Sequence, residues 1–561
     1  MTTQEPNLPL VGQRQAIHFD GRRFFQEHIG RSWWLALWLL LLAYVTLVYT
    51  MNQLGQAAVL TTAVLLLWLV SLGATIYNEM THKHNLMTLW LKDNLYSSVT
   101  NVLLTLLLTL VIVATVRSFI DYAFVRASFT TDPDLAKATL AQFENPGANW
   151  GAIIANMRNL MVFRFPREET WRIVLVVSYL AVLLPVSAFV YAQQRLRRSP
   201  IRRALTLLWI ISPVVTFGLL LGVTIVPGAL QRVLGQTAVS LLLLLALFLG
   251  SKYILRRYPS TAVGLVLILV WAAALAGVLY LMVNGFTASL NPDVAWGGLL
   301  LTMIIAVFAI LASFPLGVLL ALGRRSMIRG VPWWLTAVTA GALTLYLLVT
   351  NTLPALADAS GLLSTILAFW PLLILLIAYL FQKYFKGNVV AASSTVYIES
   401  VRGVPLITVL FMSIILFPIL LPPGMEILST WRVMAAAALF AAAYLAENIR
   451  GGLQAIPKGQ YEAADSIGLN TIQKYRLIIL PQAIRIVIPA IVGQFIGLFL
   501  DTTLIAIVGL IELLGVANLI AAQPNWLGVR REPYIFLMFV YFFGSWLMVT
   551  ASRRIERNTE R

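Results

Sequence analysis

The sequence predicts an all-α polytopic membrane protein with about fourteen transmembrane helices and both termini cytoplasmic. Three observations predict it. Of 561 residues, 60% are hydrophobic and 11% charged, where an ordinary soluble domain carries about 25% charge. Apolar runs of spanning length recur along the chain. The short loops between them alternate in charge.

Composition also excludes several functions. A net charge of +17 could suggest nucleic acid, but Lys and Arg collect in the cytoplasmic loops of membrane proteins. No nucleic-acid partner is expected. The absence of cysteine rules out disulfides, zinc-thiolate sites and thiol catalysis. Segment 1–32 is polar, carries Arg14, Arg22, Arg23 and Arg31, and has no apolar core of a signal peptide. It reads as a cytoplasmic segment with no cleaved leader.

The apolar runs are 33–50, 57–77, 98–120, 173–194, 205–227, 237–255 and 261–283, then 296–322, 334–356, 362–381, 405–421, 431–449, 484–510 and 533–551. With the N-terminus inside, the inner loops should be basic. Arg195, Arg197, Arg198, Arg202 and Arg203 follow the fourth run. Lys252, Arg256 and Arg257 follow the sixth, Arg324, Arg325 and Arg329 the eighth, and Lys383 and Lys386 the tenth. Arg553, Arg554, Arg557 and Arg561 end the chain. The outer loop 51–56 is uncharged and 284–295 holds only Asp293. Arg530 and Arg531 break the pattern, as does the long connection 121–172. That connection, with Asp132-Pro133-Asp134, Asn145-Pro146-Gly147 and Pro166, reads as an external, partly helical lid or as a poorly ordered excursion. The sixteen Trp are expected mostly at the membrane interface.

The most polar long run in the last third is 461–481, YEAADSIGLNTIQKYRLIILP. Ala463, Ala464 and Gly468 allow close approach of a partner, and Gly468 can end a short helix. Lys458, Lys474 and Arg476 hold the segment inside. Pro481 and Pro489 disturb the start of the next span. From these residues alone, a cytoplasmic docking loop and an ordinary basic amphipathic loop are both open.

The run Glu462-Ala463-Ala464, Gly468, then Ile478, Leu480 and Pro481 resembles the EAA signature of ABC-importer permeases. The preceding 449–460, IRGGLQAIPKGQ, is similar to the polar amino-acid subfamily, as are 397–406, YIESVRGVPL, and Asp501-Thr502-Thr503-Leu504. Segments 90–98, WLKDNLYSS, and 165–172, FPREETWR, resemble the N-terminal region of the longer general L-amino-acid permeases. The resemblance is weak over 90–326 and strong over 296–326 and 390–555. It implies a type I importer permease core at 296–326 and 390–555 with a coupling loop at 457–481. An N-terminal region 90–290 would precede that core. Extra helix pairs at 33–80 and 327–389 depart from the family pattern.

The chain has no phosphate-binding GxxxxGK[ST] loop. The resemblance therefore implies an ATPase dimer as separate partner, docked at Glu462, Ala463, Ala464 and Gly468, with ATP and Mg bound there and no cofactor on this chain. It also implies an extracytoplasmic amino-acid-binding protein, a second and distinct permease, and a bacterial inner membrane. The cargo would be amino acids. A stand-alone secondary transporter or channel is the alternative; a membrane enzyme would need a catalytic cluster that the sequence lacks.

An ionisable residue inside a span is a functional candidate. Asp501, with Thr502 and Thr503, could hold an α-ammonium group, or stabilise packing. Glu447 and Asn448 near an inner span end are substrate, gate or structural candidates. Glu399 and Arg402, one turn apart, can pair on a structural elbow. His82 and His84 read as a solvated loop with no metal.

Overall fold

The computed structural model describes residues 99–193, 199–225, 230–257, 286–326, 330–357, 361–424 and 426–560, with scattered positions elsewhere. Runs 33–50, 57–77 and 261–283 and the pair His82/His84 lie wholly or largely outside the described residues. Among the described residues, eight helices are long and apolar enough to cross a membrane, or ten if two bent pairs each count as one span. The expected count of about fourteen is thus larger than what these residues show. Predicted runs that fall on described residues are mainly helical, because in hydrocarbon a helix satisfies every backbone N–H and C=O within one segment; run 205–227 departs at its end, where the helix stops at Leu220 and a short strand follows.

Two compact units divide the chain. The first includes α1 (Val99–Ile120), which continues through a π-turn to Val125. Residues 145–148 close back on that turn: Ala148 N donates to the Tyr122 carbonyl at 2.7 Å and Gly147 N to the Arg126 carbonyl at 3.0 Å.

The second unit holds α2 (Trp150–Ala155), α3 (Met157–Val162), α4 (Thr170–Ala192), α5 (Pro200–Leu220) and α6 (Leu230–Arg257). Strands β1 (Val223–Ile225) and β2 (Phe286–Ala288) pair antiparallel. Next come α7 (Gly298–Arg324), α8 (Trp333–Leu347), α9 (Leu373–Phe385), α10 (Val389–Arg402) and α11 (Ser429–Ala455). The chain finishes with α12 (Lys458–Ser466), α13 (Leu480–Asp501), α14 (Leu513–Ala521) and α15 (Arg531–Glu560). Within the connection 121–172, residues 150–162 are helical and packed: Leu160 and Phe165 are buried, and α3 packs on α7.

The core is α7 against α11, with α13 packed on α11 and also touching α7. Lipid supplies no hydrophobic drive for helices to associate, so close packing by small residues must hold them. Accordingly Ala436, Ala437, Ala438, Ala441, Ala442, Ala443 and Ala446 of α11 are all buried. On α7, a Cβ at Gly317 would lie 2.9 Å from Leu445 of α11, so only glycine permits this approach.

The start of α11 is fixed by Asp293, whose carboxylate accepts from Ser429 N at 2.8 Å, Thr430 N at 2.7 Å and Thr430 Oγ1 at 2.6 Å. Such a carboxylate satisfies orphan helix N–H groups and opposes the positive dipole end. Hairpin α8–α9 is closed at its base, where Val331 N donates to the Gly387 carbonyl at 2.8 Å and Asn388 Nδ2 to the Ser326 carbonyl at 2.8 Å. The end of α7 and the start of α10 are thereby joined across the hairpin.

Candidate functional site

Two sites emerge at the ends of α7 and a third between them. At the first, α12 carries Glu462, Ala463 and Ala464. Ala464 is fully buried, whereas Glu462 and Ala463 are exposed. Gly468 has φ +74°, and Leu469 N donates to the Ala464 carbonyl at 3.2 Å. That left-handed cap is why glycine is needed here. Lys474 Nζ binds Asp465 Oδ1 at 2.6 Å and closes the turn. A π-turn (Tyr475–Ile479) leads into α13, with Pro481 in its first turn and Pro489 within it.

This segment is tied to two core helices. Tyr461 Oη donates to the Leu453 carbonyl at 3.0 Å, and Arg325 at the end of α7 donates to the same carbonyl at 3.2 Å and to Tyr461 Oη at 3.3 Å. A push on α12 therefore reaches both α7 and α11. The segment is thus a short helix ended at Gly468, followed by a capped turn and a π-turn.

Beside it lies a charge cluster. Glu447 on α11 is hydrogen-bonded to Arg450 and lies 3.6 Å from Arg324 and 3.7 Å from Arg402. Glu399 pairs with Arg324 at 2.8 Å. The expected pairing of Glu399 with Arg402 is not what forms: each reaches a different helix, because α7 and α11 offer opposite charges closer to their tips. Arg402 also stacks over Tyr444. These ion pairs join α7, α10 and α11. Glu447 belongs to this junction, and its carboxylate is already engaged by three guanidinium groups. Asn448 Nδ2 donates to Gln494 Oε1 at 2.8 Å, and Gln494 Nε2 to the Ala441 carbonyl at 2.9 Å, which ties α11 to α13.

Between the two ends is a cavity of about 10 Å³, lined by Asp501, Thr502 and apolar side chains including Ile305, Leu406, Leu410 and Leu498. That is room for about one water. Asp501 ends α13 where the chain tightens into a 3-10 turn (Thr502–Val508). Among the described residues nothing bonds its carboxylate. Thr502 Oγ1 donates to the Phe499 carbonyl at 2.7 Å and Thr503 Oγ1 to the Leu500 carbonyl at 2.9 Å. Both hydroxyls therefore serve their own helix here, and Asp501 lies beside an apolar cavity with its carboxylate unbonded among the described residues.

The remote end of α7 holds a group that the reading of spans missed. Glu512, fully buried, accepts from Leu514 N at 2.9 Å, Gly515 N at 3.0 Å, Thr302 Oγ1 at 3.3 Å and Tyr541 Oη at 3.4 Å. Burial pushes its carboxyl up from 4.5 to about 7, against the pull of those donors. A lone Glu flanked by Leu510-Ile511 and Leu513-Leu514 was the available signal. It fell just past the end of an apolar run, so the rule for ionisable groups within spans did not reach it. Among the described residues, no cluster of acidic, His or Cys side chains could hold a metal ion.

These features are set in a bundle of apolar, membrane-length helices. The family model for binding-protein-dependent transport system inner membrane components matches residues 372–561. The chain is 33% identical over 486 residues to the glutamate/glutamine/aspartate/asparagine transport system permease protein BztC of Rhodobacter capsulatus, covering 84% of this chain and 93% of that protein. It is 28% identical to the inner membrane amino-acid ABC transporter permease protein YhdY of Escherichia coli, over 86% of this chain and 95% of that one. Against the probable glutamine ABC transporter permease protein GlnP of Bacillus subtilis it is 34% identical over 31% of this chain and 78% of the relative. The chain belongs to the amino-acid ABC transporter permease family and is a multi-pass membrane protein.

Proposed function

We propose that this chain moves amino acids into the cell as the permease subunit of an ATP-driven importer, and that a separate ATPase dimer drives it by docking on α12. The observation that carries the coupling is the anchoring of α12: Glu462 and Ala463 face out, while Tyr461 and Arg325 bind the segment to α7 and α11. ATP and Mg are held by the ATPase, and this chain performs no chemistry. Glu462 makes charge-assisted contacts to the ATPase. The amino-acid names of BztC, YhdY and GlnP support the cargo. An extracytoplasmic binding protein delivers it, and a distinct second permease completes the pathway.

Asp501 is the group on this chain best placed to meet an α-ammonium ion. The cavity beside it is far too small for an amino acid, so substrate contact requires α7 and the 3-10 turn to separate. The closed cavity and the anchored α12 then belong to one cycle of rigid-body states.

Co-purification with uptake in vesicles tests both points together. Glu462→Ala is expected to weaken ATPase association and cut uptake at least about tenfold, a loss of about 1.4 kcal/mol in coupling. Asp501→Ala is expected to leave ATPase association intact and reduce uptake. Wild-type association and uptake in Glu462→Ala would sink the docking assignment. Unchanged uptake in Asp501→Ala would remove Asp501 from the substrate path.

A further inference from the structure

Glu512 sits where three helices meet. It caps α14 through Leu514 N and Gly515 N, reaches α7 through Thr302, and reaches α15 through Tyr541. Thr302 Oγ1 in turn accepts from Leu513 N at 3.2 Å, and Gly298 N donates to the Ile511 carbonyl at 3.0 Å. A simple helix cap needs only the two backbone contacts. Two further hydroxyls from two other helices converge on the same carboxylate.

We propose that Glu512 is a positioning residue for transport: a proton-linked latch that holds α14 and α15 against the end of α7 remote from α12.

Both hydroxyls have a second partner. Thr302 Oγ1 lies 3.2 Å from the Gly298 carbonyl, and Tyr541 Oη lies 3.5 Å from Thr502 Oγ1. A protonated Glu512 must donate its own O–H. Either hydroxyl can accept it by turning its hydrogen to that second partner. The network therefore closes in the neutral state with no polar group stranded. Ionisation places a full charge among apolar neighbours of α14 such as Leu513, Val516 and Ile520. Among the described residues, no cation pairs with it. Tyr541 is the other titratable group bonded to Glu512. Charged groups on nearby elements are engaged elsewhere or lie apart: Arg158 of α3 donates to the Phe165 carbonyl, Glu532 of α15 accepts from Asn149 N, and Asp501 faces the cavity.

Separation of α7 from α14 and α15 admits water to the carboxylate and relieves that cost. Linkage then sets the sign. The packed state binds the proton more tightly than the hydrated state, so rising pH favours separation through the window between 4.5 and about 7 and stops favouring it above. From pH 6 to pH 8 the ratio of separated to packed states rises about tenfold. Tyr541 carries the same event to Thr502, which lines the cavity beside Asp501. The latch thus sits one residue away from the candidate substrate site, and its action does not depend on the cargo.

The test uses the full chain in lipid nanodiscs, purified with its co-assembled subunits. Spin labels go on Met303→Cys of α7 and Leu519→Cys of α14, both exposed, in a chain with no other cysteine. Electron–electron distance measurements should show the long-distance population growing about tenfold from pH 6 to pH 8 relative to the short one, and levelling beyond. Glu512→Gln should abolish that dependence. A flat wild-type profile overturns the proposal, and so does a Glu512→Gln profile that follows wild type. Should Glu512→Gln fail to assemble, Tyr541→Phe decides: a several-fold larger separated population at pH 6 supports the latch, and an unchanged one overturns it.

Discussion

Glu447→Ala is expected to leave little assembled permease in the membrane. The substitution removes the one carboxylate that Arg324, Arg402 and Arg450 share, and these side chains are only 26%, 33% and 29% exposed. Removing one partner of a fully buried ion pair costs about 3–5 kcal/mol and of a surface pair about 0–1 kcal/mol; this partly buried cluster of three guanidinium groups on one carboxylate falls between the two. Whole-domain stability is only about 5–15 kcal/mol. Glu399 cannot take over, because it is bound to Arg324 and more than half exposed. Thermal unfolding in detergent should show a large drop for Glu447→Ala and a smaller one for Glu447→Gln, whose amide oxygen still accepts. Wild-type melting of Glu447→Ala would show that the junction of α7, α10 and α11 does not depend on this cluster.

Ala464→Arg is expected to abolish ATP-driven uptake while the chain still inserts and melts near wild type. Ala464 is fully buried on the inner face of α12, and an arginine there lifts the helix from its seat. The core helices do not rely on α12 for their packing, since α7, α11 and α13 contact one another directly. The expected signature is thus uncoupling: uptake down more than about a hundredfold, about 2.7 kcal/mol, with membrane levels preserved. Full uptake by Ala464→Arg would mean that the seating of α12 plays no part in transport.

Much of this architecture was legible because lipid imposes a simple rule on sequence. Apolar runs of spanning length must be helices, so runs such as 173–194, 334–356 and 533–551 announced α4, α8 and α15. The EAA run was legible for a different reason. The seat of α12 demands a small residue at Ala464, which is fully buried, and a left-handed cap demands Gly468. Long-range partners were not legible. Glu399 and Arg402 are one turn apart, and local spacing suggested a pair. Only the meeting of α7, α10 and α11 decides that Arg324 takes Glu399 while Arg402 takes Glu447. Glu512 was invisible on the same ground. Its importance comes from Thr302 and Tyr541, which lie 210 and 29 residues away, and no periodicity links such positions. The partners of the polar groups in 150–165 were not legible either. Asn159 Nδ2 donates to Asn156 Oδ1 at 3.0 Å, and Asn156 accepts from the distant Gln523 at 3.1 Å.

The central claim is that a partner ATPase works this chain through α12. A chain without cysteine allows one thiol to be placed on exposed Ser466 of α12 by Ser466→Cys, which leaves Glu462 in place, and probed with a short bifunctional cross-linker in the transport-competent complex. A cross-link to the ATPase subunit is predicted, with an efficiency that changes when ATP is bound and again after hydrolysis. A thiol at 466 that stays fully open to a water-soluble maleimide in the actively transporting complex, with no cross-link in any nucleotide state, would contradict the account.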